Sequence, residues 1–316
     1  MKAIIPSGRS LKPRLVIADR GKPKPGPQDV LVKVHAASVN PKDWKLNLQL
    51  GNLATPLGRH WLPAVFGDDL AGEVVAKGAK VEGFEVGDRV YGMDMRLRTA
   101  SLAEYAVIDQ RRIAVMPKKL SFIDAAAAPL AAQTALQGLR QAGAGQGSSV
   151  LIIGASGGVG TYAVQIAKLL GCEVTAVCST RNVERVKELG ADAVIDYTQD
   201  DFRKTGQQYD VVFDVTSFET PGSCAALLKP TGHFVSTMGH ARALISTLLT
   251  KRQKASIVVV ESYTEDLETL GEWMAAGKLK SIIDCRVPLA ESQWAYERSR
   301  SGRAQGKIVI EITRES

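Results

Sequence analysis

Glycine, hydroxyl and guanidinium groups sit mid-chain at a spacing suited to holding a dinucleotide. Val150 to Ile153 is a short apolar run, Gly154-Ala-Ser-Gly-Gly-Val-Gly160 follows at once, and Tyr162 to Leu170 carries an apolar helical pattern. Strand, glycine turn and helix in that order is the setting in which such glycines bind a pyrophosphate. Gly157 would let the backbone approach the phosphates, and Gly160 would let the helix pack tightly on the strand. The free N–H groups of the first helical turn would face the phosphate charge. Ser156, Gly157, Gly158 and Val159 are the expected contacts. Ala155 stands where the first glycine of the usual pattern would be, with Gly154 just before it.

The next strand, Glu173 to Ser179, ends in Ser179-Thr180-Arg181. An NAD site usually carries Asp or Glu there, about 20 residues past the glycines, for the ribose 2′-hydroxyl. With no carboxylate at that place, two hydroxyls and a bidentate guanidinium suit a 2′-phosphate. NADPH is therefore expected over NADH. The other reading of Arg181 is a solvated residue opening the following helix.

The elements that must position these groups form a sequence of their own. Up to about residue 117 the chain is β-rich. Val30 to Ala36 alternates as a half-buried strand, and Ala71 to Gly78, Arg89 to Gly92, Leu102 to Ile108 and Arg112 to Met116 add short strands broken by Gly, Pro and Asp. That pattern predicts a barrel-like β domain. Ser121 to Asp124 has the form of a capping box opening a helix, and Ala131 to Arg140 is a second helical run. From Ser148 strands and helices alternate, with strands at 149–154, 173–178, 193–197, 210–215 and 233–238, helices at 160–170, 182–189 and 222–228, and a last strand in Lys254 to Glu261. This alternation predicts a parallel, doubly wound sheet. Strand carboxyl ends bind ligands in such sheets, which selects Thr216 and Ser217 after the fourth strand, and Met238 and Gly239 after the fifth. A tail of helix 264–277, strand 280–287, helix 290–300 and strand 307–312 is expected to return to the first domain.

Composition narrows the function classes. The chain has 316 residues, 45% of them apolar, and a net charge of +7. The basic residues are scattered, without the basic and aromatic stripe of a nucleic-acid surface, so no nucleic-acid partner is expected. No apolar run reaches the ~18 residues of a membrane span, and the first residues lack a signal-peptide core. The cysteines Cys172, Cys178, Cys224 and Cys285 form no CxxC pair, so neither a disulfide framework nor a structural zinc lobe is expected. A reducing, cytoplasmic location fits best. No Ser/His/Asp set or spaced carboxylate pair points to nucleophilic catalysis.

Ser38-Val-Asn-Pro-Lys-Asp43, Gly72-Glu-Val-Val, Gly87-Asp-Arg-Val90, Ala103-Glu-Tyr105, Gln133-Thr-Ala-Leu136, Leu189-Gly-Ala-Asp192 and Gly306-Lys-Ile-Val309, together with the glycine turn, resemble the quinone oxidoreductase branch of the medium-chain dehydrogenase/reductase superfamily. Asn40-Pro-Lys-Asp-Trp-Lys45 and Ile282-Ile-Asp284 are most similar to the NADPH-dependent alkenal/enone reductases, chloroplast-envelope quinone oxidoreductase homologues among them. The resemblance implies an α/β fold: a GroES-like β-barrel domain over 1–120, a Rossmann doubly wound parallel-sheet domain for NADPH over 121–262, and a return over 263–316. It also implies a homodimer, with Lys254 to Val260 as a candidate sheet edge.

On the shared flanks, Asn40 takes the place of the metal-binding Cys of the zinc alcohol dehydrogenases, and Gly67-Asp68-Asp69 that of their Gly-His-Glu. His35, His60, His233 and His240 show no ligand spacing with the cysteines, and no metal is expected. Without a Lewis acid, hydride delivery to the conjugated C=C of an enone or enal, or to a quinone, is the accessible reaction, and donors must stabilise the resulting enolate. By the resemblance, Asn40, Lys45 and Thr134 lie near the nicotinamide, with Lys45 also a cofactor contact. Tyr197 lies near the adenosine, while Gln305 and Lys307 close over the cofactor. For Lys45 a solvated lysine, and for Tyr197 simple packing, remain open. Asp43 is expected to cap its turn. Residues 46 to 66, with Trp61 and Phe66, are expected to line the substrate mouth. Reduction of enoyl thioesters or haloacrylates, and a non-catalytic NADPH-binding role, stay open as alternatives.

Overall fold

The computed structural model describes residues 1–7, 14–43, 67–95, 100–237 and 254–313. The chain divides into two compact units. The first holds Met1–Leu130, Glu261–Gly277 and Ile283–Ser316, and the second Ala131–Val260 and Lys278–Ile282.

The first unit begins with an antiparallel hairpin, β1 (Lys2–Ser7) and β2 (Arg14–Asp19). Then come β3 (Asp29–Val39), β4 (Asp69–Lys77), β5 (Arg89–Met93), β6 (Tyr105–Asp109) and β7 (Ile113–Val115). Helix α1 (Phe122–Ala127) is capped by Ser121, whose Oγ accepts from the Asp124 N–H at 3.0 Å, as the capping-box pattern predicts.

The second unit carries α2 (Pro129–Gln141), β8 (Ser149–Ile153), α3 (Gly158–Leu169), β9 (Glu173–Cys178), α4 (Val183–Glu188), β10 (Ala193–Asp196), β11 (Tyr209–Asp214), β12 (Leu228–Thr237) and β13 (Lys254–Val258). Pro129 interrupts the helical run, with α1 ending at Ala127. It opens α2, where its missing N–H is not needed. Helix 222–228 is absent: Ala225–Leu227 is one 3-10 turn, and β12 starts at Leu228. The tail returns as α5 (Thr264–Ala275), β14 (Ile283–Pro288), α6 (Ser292–Arg300) and β15 (Lys307–Glu311).

The six strands of the second unit are ordered β10-β9-β8-β11-β12-β13 and all run parallel. This is the doubly wound arrangement, with the switch point at β8 and β11. Its central strands are buried on both faces, which is why Val150 to Ile153 is apolar without alternation.

The first unit's sheet runs β14-β15-β3-β4-β5-β7. Along one side of β3, residues 29–33 pair with β6 and 36–39 with β15, while β4 lies along the other. The half-buried strand expected from Val30 to Ala36 is buried on both faces instead. Val30, Val32 and Val34 enter a valine-rich core, and Ala36 packs with Phe122, Ala125 and Ala126 of α1. Lys278–Ile282 belongs with the second unit rather than the tail. Lys280 N–H donates to Gln165 Oε1 at 2.9 Å, Gln165 Nε2 donates to Lys280 O at 3.0 Å, and Ser281 Oγ meets Tyr162 Oη at 2.7 Å.

Candidate functional site

In the second unit the carboxyl ends of four adjacent strands are tied together. Gly154 makes the tight turn after β8 at φ +87°, where a Cβ would overlap the Thr216 methyl. Gly160 abuts the carbonyl of Gly154 and lies so close to Ala155 that a Cβ would sit 2.7 Å from its Cα. Gly157 differs: a Cβ there would meet nothing nearer than Gly154 O at 3.5 Å. The helix start is open, no side chain caps α3, and Ser156, Gly157, Gly158 and Val159 are half-buried.

Asn182 spans the gap from this turn to the next strand end. Its Nδ2 donates to Ser156 Oγ at 3.1 Å and to Ser179 Oγ at 3.0 Å. Its Oδ1 is buried and has no hydrogen-bond partner among the described residues. After β11, the buried Asp214 carboxylate accepts from Thr216 N–H (2.9 Å), Thr216 Oγ1 (2.6 Å), Ser217 N–H (3.2 Å) and Glu219 N–H (2.9 Å). It thereby holds Ser217 in the left-handed region at φ 62°. Ser217 Oγ then bonds Thr237 O at 2.7 Å, at the end of β12. An open glycine cradle, an uncapped helix start and an orphaned buried amide oxygen fit a nicotinamide dinucleotide across these strand ends.

Thr180 does not stand with hydroxyls alone. Its Oγ1 donates to Asp196 Oδ2 at 2.5 Å. The expectation that no carboxylate lies here fails because the carboxylate comes from the neighbouring strand. β9 and β10 are parallel with Cys178 opposite Asp196. Arg181 is exposed and forms no ion pair among the described residues. Tyr197 is 57% exposed beside this cluster. Thr134 is buried on α2, next to the buried Gln133. Lys45, Met238 and Gly239 lie outside the described residues, as do Trp61, Phe66, His60 and His240.

A second polar cluster lies within the first unit. Strand register places the end of β3 and the starts of β4 and β15 side by side, since Val39 pairs with Ile308 and Ala37 with Leu70. Lys307 Nζ donates to Asn40 Oδ1 at 2.5 Å and sits 3.5 Å from Asp69 Oδ2. Asn40 Nδ2 donates to the same Asp69 oxygen at 2.8 Å, and Ser38 Oγ donates to it as well. Leu130 N–H serves the other oxygen at 2.8 Å. All four side chains are at most 4% exposed. Lys307, expected over the cofactor, is thus committed to Asn40 and Asp69. Gln305 is half-buried, its N–H on Asp284 Oδ1 at 2.9 Å.

Beside this cluster, Asp43 Oδ2 accepts the Asn40 N–H at 2.7 Å, the turn-capping role read for it. Burial, together with the Asp68 charge, holds the Asp43 carboxyl well above the usual carboxylate range. Asp68 takes Lys42 Nζ at 2.7 Å, yet burial still raises it to about 6. The four cysteines are free thiols, and burial pushes Cys178 and Cys285 to about 11 and Cys224 to about 12, so none is poised as a thiolate. Among the described residues no group of three or more His, Cys, Asp or Glu is arranged to hold a metal ion.

Sequence reasoning missed Asn182, Asp196, Asp214 and the pairing of Lys307 with Asn40. Asn182 and Asp196 each adjoin a residue that was singled out, Arg181 and Tyr197, but the contacts depend on strand register.

Residues 26–118 match the family described as alcohol dehydrogenase GroES-like domain, and residues 189–310 the family described as zinc-binding dehydrogenase. The chain is 34% identical over 304 residues to the chloroplast envelope quinone oxidoreductase homolog of Arabidopsis thaliana, covering 92% of this chain and 91% of that one. It is 37% identical over 292 residues to 2-methylene-furan-3-one reductase of Solanum lycopersicum, covering 89% of this chain and 71% of that one. The solved quinone oxidoreductase of Coxiella burnetii superposes with a TM-score of 0.89 at 33% identity, covering 99% of both chains.

Proposed function

Because the chain belongs to the quinone oxidoreductase branch of the medium-chain dehydrogenase/reductase superfamily, we propose that this oxidoreductase is a zinc-independent, NADPH-dependent reductase of conjugated enones, enals or quinones. The observation that carries the reading is the pairing of Asn40 with Lys307. Where a zinc enzyme of the superfamily needs a thiolate, this chain has an amide whose oxygen is bonded to an ammonium and whose nitrogen is bonded to Asp69. A catalytic zinc needs about three Cys, His or carboxylate ligands. The zinc-binding description of one matched family is therefore not carried over to these positions.

When bound, NADPH supplies a hydride to the conjugated acceptor. The chain's own residues do the rest. The N–H groups of Ser156, Gly158 and Val159 at the α3 N-terminus take the pyrophosphate, with the Gly157 N–H closing the turn onto Gly154 O at 3.2 Å. Arg181, with Ser179, takes the 2′-phosphate, while the Thr180 hydroxyl beside them is held by Asp196, and Tyr197 lies along the adenosine. Thr216 and Ser217, with Met238 and Gly239, hold the nicotinamide half at the strand ends. Asn40, Lys45 and Thr134 are the donors assigned to the enolate or quinol oxygen, where negative charge develops as hydride arrives. Among the described residues the Asn40 Nδ2 donates to Asp69 alone, which uses one of its two hydrogens. We further propose a homodimer in the cytoplasm, formed along β13. That strand is last in its sheet and pairs with β12 alone among the described residues.

The test is oxidation of NADPH, and of NADH in parallel, with a short enal, a vinyl ketone, ortho- and para-quinones and a crotonyl thioester, all with a zinc chelator present. Turnover with NADPH clearly favoured is the expected result. Oxidation of simple alcohols that the chelator abolishes would overturn the zinc-independent reading.

A further inference from the structure

The carboxyl ends of β9 and β10 lie side by side, and what stands there is not a simple phosphate site. Asp196 accepts from Thr180 Oγ1 at 2.5 Å, Thr198 Oγ1 at 2.7 Å, Thr198 N–H at 3.0 Å and Gln199 Nε2 at 3.1 Å. These donors hold its carboxyl below the usual carboxylate range, first through the Thr180 hydroxyl. A fixed negative charge therefore sits one hydrogen bond from a hydroxyl beside the groups assigned to the 2′-phosphate. The Thr180 proton is committed to that carboxylate and its oxygen also lies 2.8 Å from Thr198 Oγ1, so what it can offer a ligand is a lone pair and not a proton. An acceptor suits a ribose 2′-hydroxyl, which can donate, and opposes a phosphate, which cannot. Thr180 and Asp196 also border a cleft of about 820 Å³ that carries Glu184, Asp200, Asp201 and Lys204 and is lined by neither Arg181 nor the glycine turn, so carboxylates outnumber ammonium groups on that side of the pair. Arg181 is the counterweight. It is exposed and, among the described residues, without an ion pair.

We propose that Asp196 is a specificity-determining residue that weakens the hold on a 2′-phosphate and admits a 2′-hydroxyl cofactor, so that NADPH and NADH compete at one site. The proposal rests on the nicotinamide-cofactor reading above. Arg181 draws the phosphate in, and Asp196, acting directly and through Thr180, limits the gain.

Titration calorimetry of the full chain with NADP⁺, NAD⁺ and 2′,5′-ADP tests this without turnover. Asp196→Asn should tighten NADP⁺ and 2′,5′-ADP on the order of tenfold, the scale of one like-charge contact near a surface. NAD⁺ should bind equally or more weakly. The gain should shrink in high salt, since exposed charges are screened. Thr180→Val removes the acceptor but keeps the carboxylate, so its gain for either phosphate ligand should be smaller than that of Asp196→Asn. Equal loss of NADP⁺ and NAD⁺ affinity in Asp196→Asn would reduce Asp196 to a structural brace and overturn the proposal. An unchanged affinity ratio would overturn it as well. Failure of the unaltered protein to bind any of the three ligands would instead overturn the cofactor reading on which it rests.

Discussion

The clusters around Asp69 and Asp196 are built from similar groups and behave as opposites. Asp69 is fully buried and shares an oxygen among Ser38, Asn40 and Lys307, with Leu130 N–H on the other. Asp196 is half-buried, held by two threonines and a glutamine, with no ammonium or guanidinium donating to it among the described residues. In the first case water is excluded, so the carboxylate must be matched internally, donor by donor. In the second, solvent does part of that work and the charge stays available to act on a ligand. The buried cluster fixes where Asn40 points; the exposed one sets what the neighbouring site prefers.

The largest effect that would break this contrast is on stability. Lys307→Met strands the Asp69 carboxylate, and Asp69→Asn strands the ammonium. Each should cost about 3–5 kcal/mol, as for other buried pairs left half-made. The double variant should cost less than the sum by more than about 1 kcal/mol, because the two changes remove one shared interaction. Urea unfolding of the four proteins measures this. Strict additivity would show that the cluster is packing rather than pairing. Asp196→Asn in the same experiment should leave the midpoint almost where it was.

A smaller effect separates the two glycines of the phosphate turn. Gly160→Ala drives a Cβ into the backbone of Gly154 and Ala155, which has no side-chain end to swing away. A loss of about 1–3 kcal/mol is expected, the range for overpacking. Gly157→Ala has an ordinary φ of −82° and its nearest contact at 3.5 Å. It should keep the unfolding midpoint and lose NADP⁺ affinity, because the new methyl occupies the cradle instead of the core. If Gly157→Ala binds NADP⁺ normally, the pyrophosphate does not lie on this turn.

What the sequence made legible follows from local rules. The strand, glycine turn and helix at 150–170 need only neighbouring residues, and the parallel sheet follows from alternation. Ser121 over Asp124, and Asp43 over Asn40, are i to i+3 contacts, visible as spacing. The rest depends on register between strands far apart in sequence. Asp196 reaches Thr180 across sixteen residues because β10 lies beside β9. Lys307 reaches Asn40 across 267, and no local pattern distinguishes a lysine committed to a buried amide from one that closes over a cofactor. The missing helix at 222–228 has a similar cause: β12 extends its pairing with β11 back to Leu228, opposite Tyr209, and only a single 3-10 turn remains before it.

The finest test of the contrast is the sign of a pH slope. Asp68, raised to about 6 by burial, keeps a proton in the folded state that the unfolded chain releases near its ordinary value of 3.8. Stability from this group therefore falls as pH rises from about 4 to about 6. Asp43 adds to the fall with the same sign, since burial raises it too. Asp210, in the second unit, goes the other way. Lys229 Nζ at 2.7 Å and the Ser149 N–H at 2.9 Å pull it down to about 2. Its contribution is complete above the ordinary carboxylate range and is lost as pH falls from about 4 toward about 2, though its 37% side-chain exposure lets solvent weaken it. Unfolding midpoints across both windows should show the Asp68→Asn/Lys42→Met pair flattening only the upper slope, and Asp210→Asn only the lower. The lysine is removed with Asp68 so that no ammonium is left buried and unpaired. An upper slope unchanged in that pair would transfer the retained proton to Asp43, and would mean that Lys42 keeps Asp68 ionised despite its burial.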